Sequence, residues 1–242
     1  LFVGAEGTLG VITGAVLKLY PQPKGLATAL VALASPDAAV ELLARMQDDC
    51  GPGLTGFELI SDLCLRLVAQ HFPDLPRPFA ASFPYYALVE VESASSQEHA
   101  AQVVETASAA AIGSGIAQDA VLASSIAQAR GLWRLREHIP LAQAAAGKNV
   151  KHDISLPVSA IPAFVRKTGE ALQIAFPGCQ LVCFGHLGDG NLHFNVQAPE
   201  GMPAAEFLHQ HETALNQTVY DAVLARGGTF SAEHGIGALK VD

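Results

Sequence analysis

Apolar residues along this chain fall into short strand-like runs that alternate with longer stripes of helical period, and turn residues punctuate them. From residue 25 onward the alternation is regular. Residues 28–34 read as a strand. Ser35-Pro36-Asp37 is a helix start in which either Ser35 or Asp37 suits the N-cap, and that helix should run to about residue 49. A short strand follows at 56–59, then an amphipathic helix at 61–71 and a proline-rich loop at 73–84. Residues 85–92 are a strand whose second half alternates apolar and polar positions. Helices are expected at 95–111 and, as one long element bent at Pro140, at 123–146. A strand at 150–154, a helix at 158–176, strands at 180–185 and 191–196, and a helix at 204–226 ended by Gly227-Gly228 complete the pattern. The succession predicts an α+β fold, a mainly antiparallel sheet with helices packed on one face, and no internal repeat.

The first residues read differently. Residues 1–5 look like the end of a strand, Glu6-Gly7-Thr8-Leu9-Gly10 like a tight glycine turn, and residues 11–20 like a second strand. Pro21 and Pro23 then break the chain, which places a domain boundary between residues 1–24 and residues 25–242. Leu1 in first place, with no basic n-region, leads to the expectation of a piece of a longer protein without a signal peptide.

Composition narrows the function. Half the residues are apolar and 15% are charged, as in a packed globular chain. A net charge of -9 disfavours nucleic acid or an anionic membrane as partner, because phosphate binding needs clustered Lys and Arg. The Ala-rich stretch 106–129 is interrupted by Gln118, Asp119 and Gln128, so no membrane-spanning helix is expected. Cys50 and Cys64 read as small buried hydrophobes, and Cys179 and Cys183 are reserve metal ligands. Four cysteines without CxxC spacing fit a reducing compartment, and the cytoplasm is the expected location.

The densest chemistry lies in the segment from Cys183 to Val196, which reads Cys-Phe-Gly-His-Leu-Gly-Asp-Gly-Asn-Leu-His-Phe-Asn-Val. Asp189-Gly190 suits a two-residue type I′ turn. Such a turn would set Gly188 opposite Asn191 and His186 opposite His193, with Asn195 on the same face and Leu192 and Phe194 turned into the core. Two adjacent imidazoles suit a divalent ion, and the glycines leave the backbone open to a ligand; the alternative is a hydrogen-bonded surface pair. Downstream, Glu233 can add a carboxylate and His234 a general base, or the two can simply be a charged helix start and a surface residue. Arg136 and Lys151 are candidates for gripping a carboxylate, although spacing alone does not select Arg136 over Arg134.

These segments, in this order, resemble the FAD-linked oxidase C-terminal domain of the vanillyl-alcohol oxidase superfamily. Residues 1–13 are similar to the end of that family's FAD-binding domain, the hairpin resembles its GHxGDGNxH signature, and Glu233-His234-Gly235 its EHG signature. Phe57-Glu58-Leu59-Ile60, Leu132-Trp133-Arg134-Leu135-Arg136-Glu137 and the run from Lys151 to Pro157 are similar to the D-2-hydroxyglutarate dehydrogenases, with D-lactate dehydrogenases and the glycolate oxidase flavin subunit nearby. The resemblance implies the ferredoxin-like substrate domain of those enzymes. It implies a divalent metal, zinc, on His186, His193 and Glu233, with Asn195 and His234 facing the substrate and His234 as the base. Arg136 and Lys151 would bind substrate carboxylates, and Glu6, Gly7, Gly10 and Ile12 would touch FAD. A threonine expected one helical turn after the arginine is replaced by Pro140, which has no hydroxyl. The resemblance leads to the expectation that most of the FAD domain and the last helices of the family lie outside these 242 residues.

The implied reaction is oxidation of a D-2-hydroxy acid to the 2-oxo acid by hydride transfer to flavin, with a flavoprotein, quinone or cytochrome as electron acceptor and a homodimer as the assembly. D-Lactate or glycolate oxidation is the neighbouring alternative. A metallohydrolase and a non-catalytic metal-binding module are the alternatives from other classes.

Overall fold

The computed structural model describes residues 2, 5 and 7–233. Eight strands form one antiparallel sheet. They are β1 (Gly25–Leu33), β2 (Leu54–Ser61), β3 (Tyr85–Ser93), β4 (Asp119–Leu122), β5 (Asn149–Val150), β6 (Asp153–Ser155), β7 (Gln180–His186) and β8 (Asn191–Gln197). The strand order is β4-β1-β3-β2-β7-β8-β5, and β6 pairs with β8 beside β5. Among the described residues seven α-helices pack on the sheet: α1 (Pro36–Cys50), α2 (Asp62–His71), α3 (Gln97–Gly113), α4 (Ile126–Glu137), α5 (Ile139–Ala146), α6 (Ile161–Ala175) and α7 (Ala204–Leu224). Serine hydroxyls start three of them, with Ser35, Ser96 and Ser125 each accepting a hydrogen bond from a backbone N–H three residues on.

The α+β class and the antiparallel sheet are as the sequence predicts. Period two in the strands decides what each face meets. Ala29, Val31 and Leu33 of β1, with Leu59 and Val89, pack under α1, α3, α6 and α7. Leu30 and Ala32, with Ile60, Leu88, Val182 and Phe184, pack under α2, α4 and α5. Helices therefore cover both faces, not one; the central strands are apolar on both sides, and each side needs a partner layer. Phe164 and Phe194, both fully buried, meet edge-on at 5.0 Å in the larger layer.

Three local expectations are corrected. The long helix expected at 123–146 is two helices separated at His138, because a proline at position 140 lacks the N–H an uninterrupted helix would use and its ring crowds the preceding turn. The strand expected at 150–154 is split into β5 and β6, and residues 119–122 form an edge strand that the polar punctuation around Gln118 and Asp119 hides. Residues 11–20 are not a strand: among the described residues no strand pairs with them, and Val11, Ile12, Val16, Leu17, Leu19 and Tyr20 are exposed.

All four cysteines are free. Burial pushes the Cys64 thiol up to about 11 and Cys183 higher still, and Cys179 is also buried. Under native conditions a thiol reagent should label Cys50 first and the other three only on unfolding. Fast native labelling of all four, read by mass spectrometry, would contradict this packing.

Candidate active site

Two glycines shape the hairpin between β7 and β8. Its tip is a short 3-10 helix, Leu187–Asp189, closed by Gly190 in the left-handed region at φ 74°. A Cβ on Gly190 would stand 2.1 Å from the Leu156 carbonyl oxygen, and one on Gly185 would stand 2.5 Å from the carbonyl oxygen of Asn191. Only glycine allows these approaches. The longer tip also corrects the expected register: Phe184, not His186, lies opposite His193, and His186 leaves β8 to pair with Glu58 of β2. The shift is two residues. It therefore preserves the side on which each residue projects, and His186 and His193 still share a face while Leu192 and Phe194 point into the core.

Residues 229–233 reach the same face along β6. Ser155 and Thr229 exchange two backbone hydrogen bonds of 2.8 Å, and the Glu233 N–H donates to the Asp153 carboxylate at 2.8 Å. This brings the Glu233 carboxylate to 3.1 Å from His186 Nε2 and 3.9 Å from His193 Nε2. Behind the rings stand two more carboxylates. Glu58 meets His186 at Nδ1, and Asp153 lies 3.8 Å from His193 Nδ1.

The donor set fits a divalent cation. Two ligands held about 2.0–2.2 Å from one ion lie roughly 3–3.5 Å apart; Glu233 stands at that spacing from His186 Nε2, 3.1 Å, and wider from His193 Nε2, 3.9 Å. His186 faces a carboxylate at each ring nitrogen. A neutral imidazole has one N–H and cannot donate to both; a cation between Nε2 and Glu233 would satisfy both lone pairs. Burial, outweighing Asp153 and Glu233 nearby, holds His193 below its ordinary value, which favours the neutral form that ligates metals. Among the described residues the donors that all lie within 4.8 Å of one another are Asp153, His193 and Glu233; His186 meets Glu233 but is not in that group. Asp153 already accepts from Asn191 Nδ2 at 2.8 Å and from the Glu233 N–H, so it serves better as a support than as a ligand in place of His186.

The remaining candidates divide. Arg136, at the end of α4, gives its Nε–H to Glu58 at 2.6 Å and lies 4.6 Å over the Phe184 ring, beside the histidines. Among the described residues its Nη atoms make no hydrogen bond, so they remain for an anion. Arg134 is on the same helix without that placement. Lys151 is exposed between β5 and β6 and makes no hydrogen bond or ion pair among the described residues. Asn195 is buried: its Oδ1 accepts from the His152 N–H and its Nδ2 donates to Gln143, each at 3.0 Å. The amide expected to face a substrate is thus committed inside the fold. Cys179 and Cys183 are buried in the core and touch none of the donors around Glu233. His234 and Glu6 lie outside the described residues. Gly7 (φ 77°) and Gly10 (φ 147°) have positive φ, and Ile12 is exposed.

Sequence reading missed Glu58 and Asp153. The signal was present, a lone carboxylate within an apolar strand run in one case and one following Lys151-His152 in the other, but neither has a partner near it in sequence. A cleft of about 360 Å³ opens beside Glu58, lined by Phe57, Glu58, Trp133, His186, Gly188 and Asp189 among others. A larger hollow of about 680 Å³, lined by Arg66, His71 and Lys148, lies away from the converging donors and contains none of them.

The profile of FAD linked oxidases, C-terminal domain, matches residues 22–242. The chain belongs to this family. Within the FAD-linked oxidases it is 37% identical over its full length to a D-2-hydroxyglutarate dehydrogenase of Stutzerimonas stutzeri, covering 51% of that protein. It is 34% identical, over 99% of its length, to a mitochondrial D-2-hydroxyglutarate dehydrogenase of Rattus norvegicus, covering 43% of it. Over 99% of its length it is 33% identical to a putative mitochondrial D-lactate dehydrogenase of Schizosaccharomyces pombe, covering 46% of that one. The chain spans about half the length of the curated relatives it matches. Among solved structures an alkyldihydroxyacetonephosphate synthase superimposes with a TM-score of 0.56 over 93% of this chain and 44% of the other, at 14% identity, which shows the fold alone. No helix among the described residues is long and apolar enough to cross a membrane.

Proposed function

We propose that this chain is the substrate- and metal-holding part of an FAD-dependent dehydrogenase that oxidises a D-2-hydroxy acid, D-2-hydroxyglutarate or a near analogue, to the 2-oxo acid. The observation that carries the reading is the convergence of His186 Nε2 and His193 Nε2 on the two oxygens of Glu233, with the Arg136 guanidinium alongside. Likeness to D-2-hydroxyglutarate dehydrogenases along the whole chain supports the substrate class.

His186, His193 and Glu233 would hold a divalent ion, for which zinc is the choice that two imidazoles and a carboxylate suit. Such an ion would supply acidity to a hydroxyl beside it, and FAD would supply the hydride-accepting chemistry. The chain's own residues do the remainder. Arg136, with Nε anchored on Glu58, presents its Nη edge to a carboxylate, and Lys151 supplies a second charge for a dicarboxylate. His234, next to Glu233 in sequence, takes the hydroxyl proton. Asn195 holds His152, just before β6, and Gln143 in place behind the site. Residues 1–24 would belong to the flavin-binding unit. The open left-handed turn at Gly7, where a Cβ would meet nothing within 4 Å, and the exposed apolar residues 11–20 support that reading. Four free thiols support a reducing, cytoplasmic setting.

The test is dye-linked oxidation by the full-length flavoprotein. D-2-Hydroxyglutarate should exceed D-lactate in kcat/KM by roughly 10–100-fold, the worth of one charged hydrogen-bonded contact. Lys151→Ala should remove most of that advantage while sparing D-lactate. Equal rates for both acids would favour the monocarboxylate alternative, and no oxidation of any 2-hydroxy acid would end the proposal.

A further inference from the structure

Glu58 is buried in β2, with Phe57, Leu59 and Ile60 buried around it in the strand. A carboxylate in that setting costs several kcal/mol unless it is paired and hydrogen-bonded. It meets two partners with two different oxygens: Oε2 accepts from Arg136 Nε at 2.6 Å, and Oε1 faces His186 Nδ1. An ion pair with Arg136 would account for the first oxygen only. The second contact has a chemical consequence. An imidazole that donates from Nδ1 carries its lone pair on Nε2, and His186 Nε2 is the atom that points at Glu233.

The geometry points to Glu58 as a positioning residue for this site: one oxygen fixes the ring and tautomer of His186, the other fixes Arg136, and a single buried side chain sets both the metal-facing and the anion-facing group. This inference rests on the metal reading above. It explains why a charged residue occupies the centre of an apolar strand. β2 runs between β3 and β7, directly opposite His186 in the ladder, so the carboxylate reaches the ring without leaving the sheet. It also ties the two halves of the proposed reaction together, because movement of either His186 or Arg136 strips Glu58 of one partner.

The experiment measures zinc affinity of the full-length protein by competition with a chelator, in wild type, Glu58→Gln and Arg136→Leu. Glu58→Gln should bind zinc roughly 10–100-fold more weakly, the usual effect of losing a carboxylate behind a ligating histidine. Arg136→Leu breaks the same buried ion pair and disturbs packing as much, yet should stay within about threefold of wild type because His186 keeps its support. In metal-free protein, nitrogen NMR of His186, assigned with His186→Gln, should show the Nδ1–H tautomer in wild type and a mixture in Glu58→Gln. An affinity for Glu58→Gln within about threefold of wild type, an equal loss in Arg136→Leu, or an unchanged tautomer would overturn the role given to Glu58. Wild-type protein that takes up no zinc would sink the metal reading, and the tautomer comparison would still decide whether Glu58 positions His186.

Discussion

His193→Ala should empty the metal site and stop turnover while leaving the fold nearly intact. The ring is mostly enclosed, its centroid 4.7 Å from that of Phe184 and tilted 36° to it, with Nε2 toward Glu233 and Nδ1 toward Asp153. Removing it leaves His186 and Glu233 alone to hold an ion, and it leaves the carboxylates of Asp153 and Glu233 without the imidazole that separates them. Loss of a support behind a ligand costs roughly 10–100-fold in metal affinity, so loss of a ligand itself should cost more than about 100-fold. Metal content per chain should fall from about one to under roughly a tenth, with activity falling in step. The cost to stability should be about 1 kcal/mol, because the ring's main packing partner is one aromatic side chain. Elemental analysis beside thermal unfolding checks both. Stoichiometric metal in a folded His193→Ala protein would exclude His193 as a ligand.

Gly190→Ala carries the second large effect, and its cause is steric. The backbone there is left-handed at φ 74°, and the added methyl would meet the Leu156 carbonyl oxygen at 2.1 Å. The left-handed conformation costs an alanine about 1–2 kcal/mol. Relief of the clash moves backbone and adds about 1–3 kcal/mol. The tip would also strain the hydrogen bond from the Leu156 N–H to the Gly190 carbonyl, 2.9 Å in this structure, which docks the hairpin on the segment after β6. For a chain of this size the combined loss corresponds to a fall in Tm of roughly 5–15 °C. Metal binding should fall with it, since the same tip sets the spacing of His186 and His193. Gly188→Ala is the control: a methyl there meets nothing within 4 Å, and Tm should hardly move. A Gly190→Ala protein with wild-type Tm would show that the tip adapts.

Much of this was legible before any coordinates. Hydrophobic period located β1, β2, β3, β7 and β8 to within a few residues, and Ser35, one of the two caps the sequence offered, starts α1 with its side chain. Less legible were the short edge strands. β4, β5 and β6 have two to four residues each, too few for an alternating pattern to stand out from loop. Residues 11–20 show the opposite failure, a strand-like pattern that finds no partner strand in the described structure.

At the site the same division holds. The sequence determined which residues are available, that His186 and His193 lie on one face of a hairpin, and that Glu233 follows in a second motif. Those are consequences of local spacing, and period two survives even a two-residue change of register. The tertiary structure decided what local spacing does not encode. The hairpin has a longer tip than its Asp-Gly pair suggests, because Gly190 docks against Leu156, some thirty residues earlier. The Asn195 amide serves the interior, because His152 and Gln143 reach it from other elements. Glu58 stands behind His186 across 128 residues of chain, and Asp153 holds Glu233 across 80. A buried carboxylate is stable only where partners from elsewhere in the fold converge on it, and that convergence exists only once the sheet and its two helical layers have been assembled.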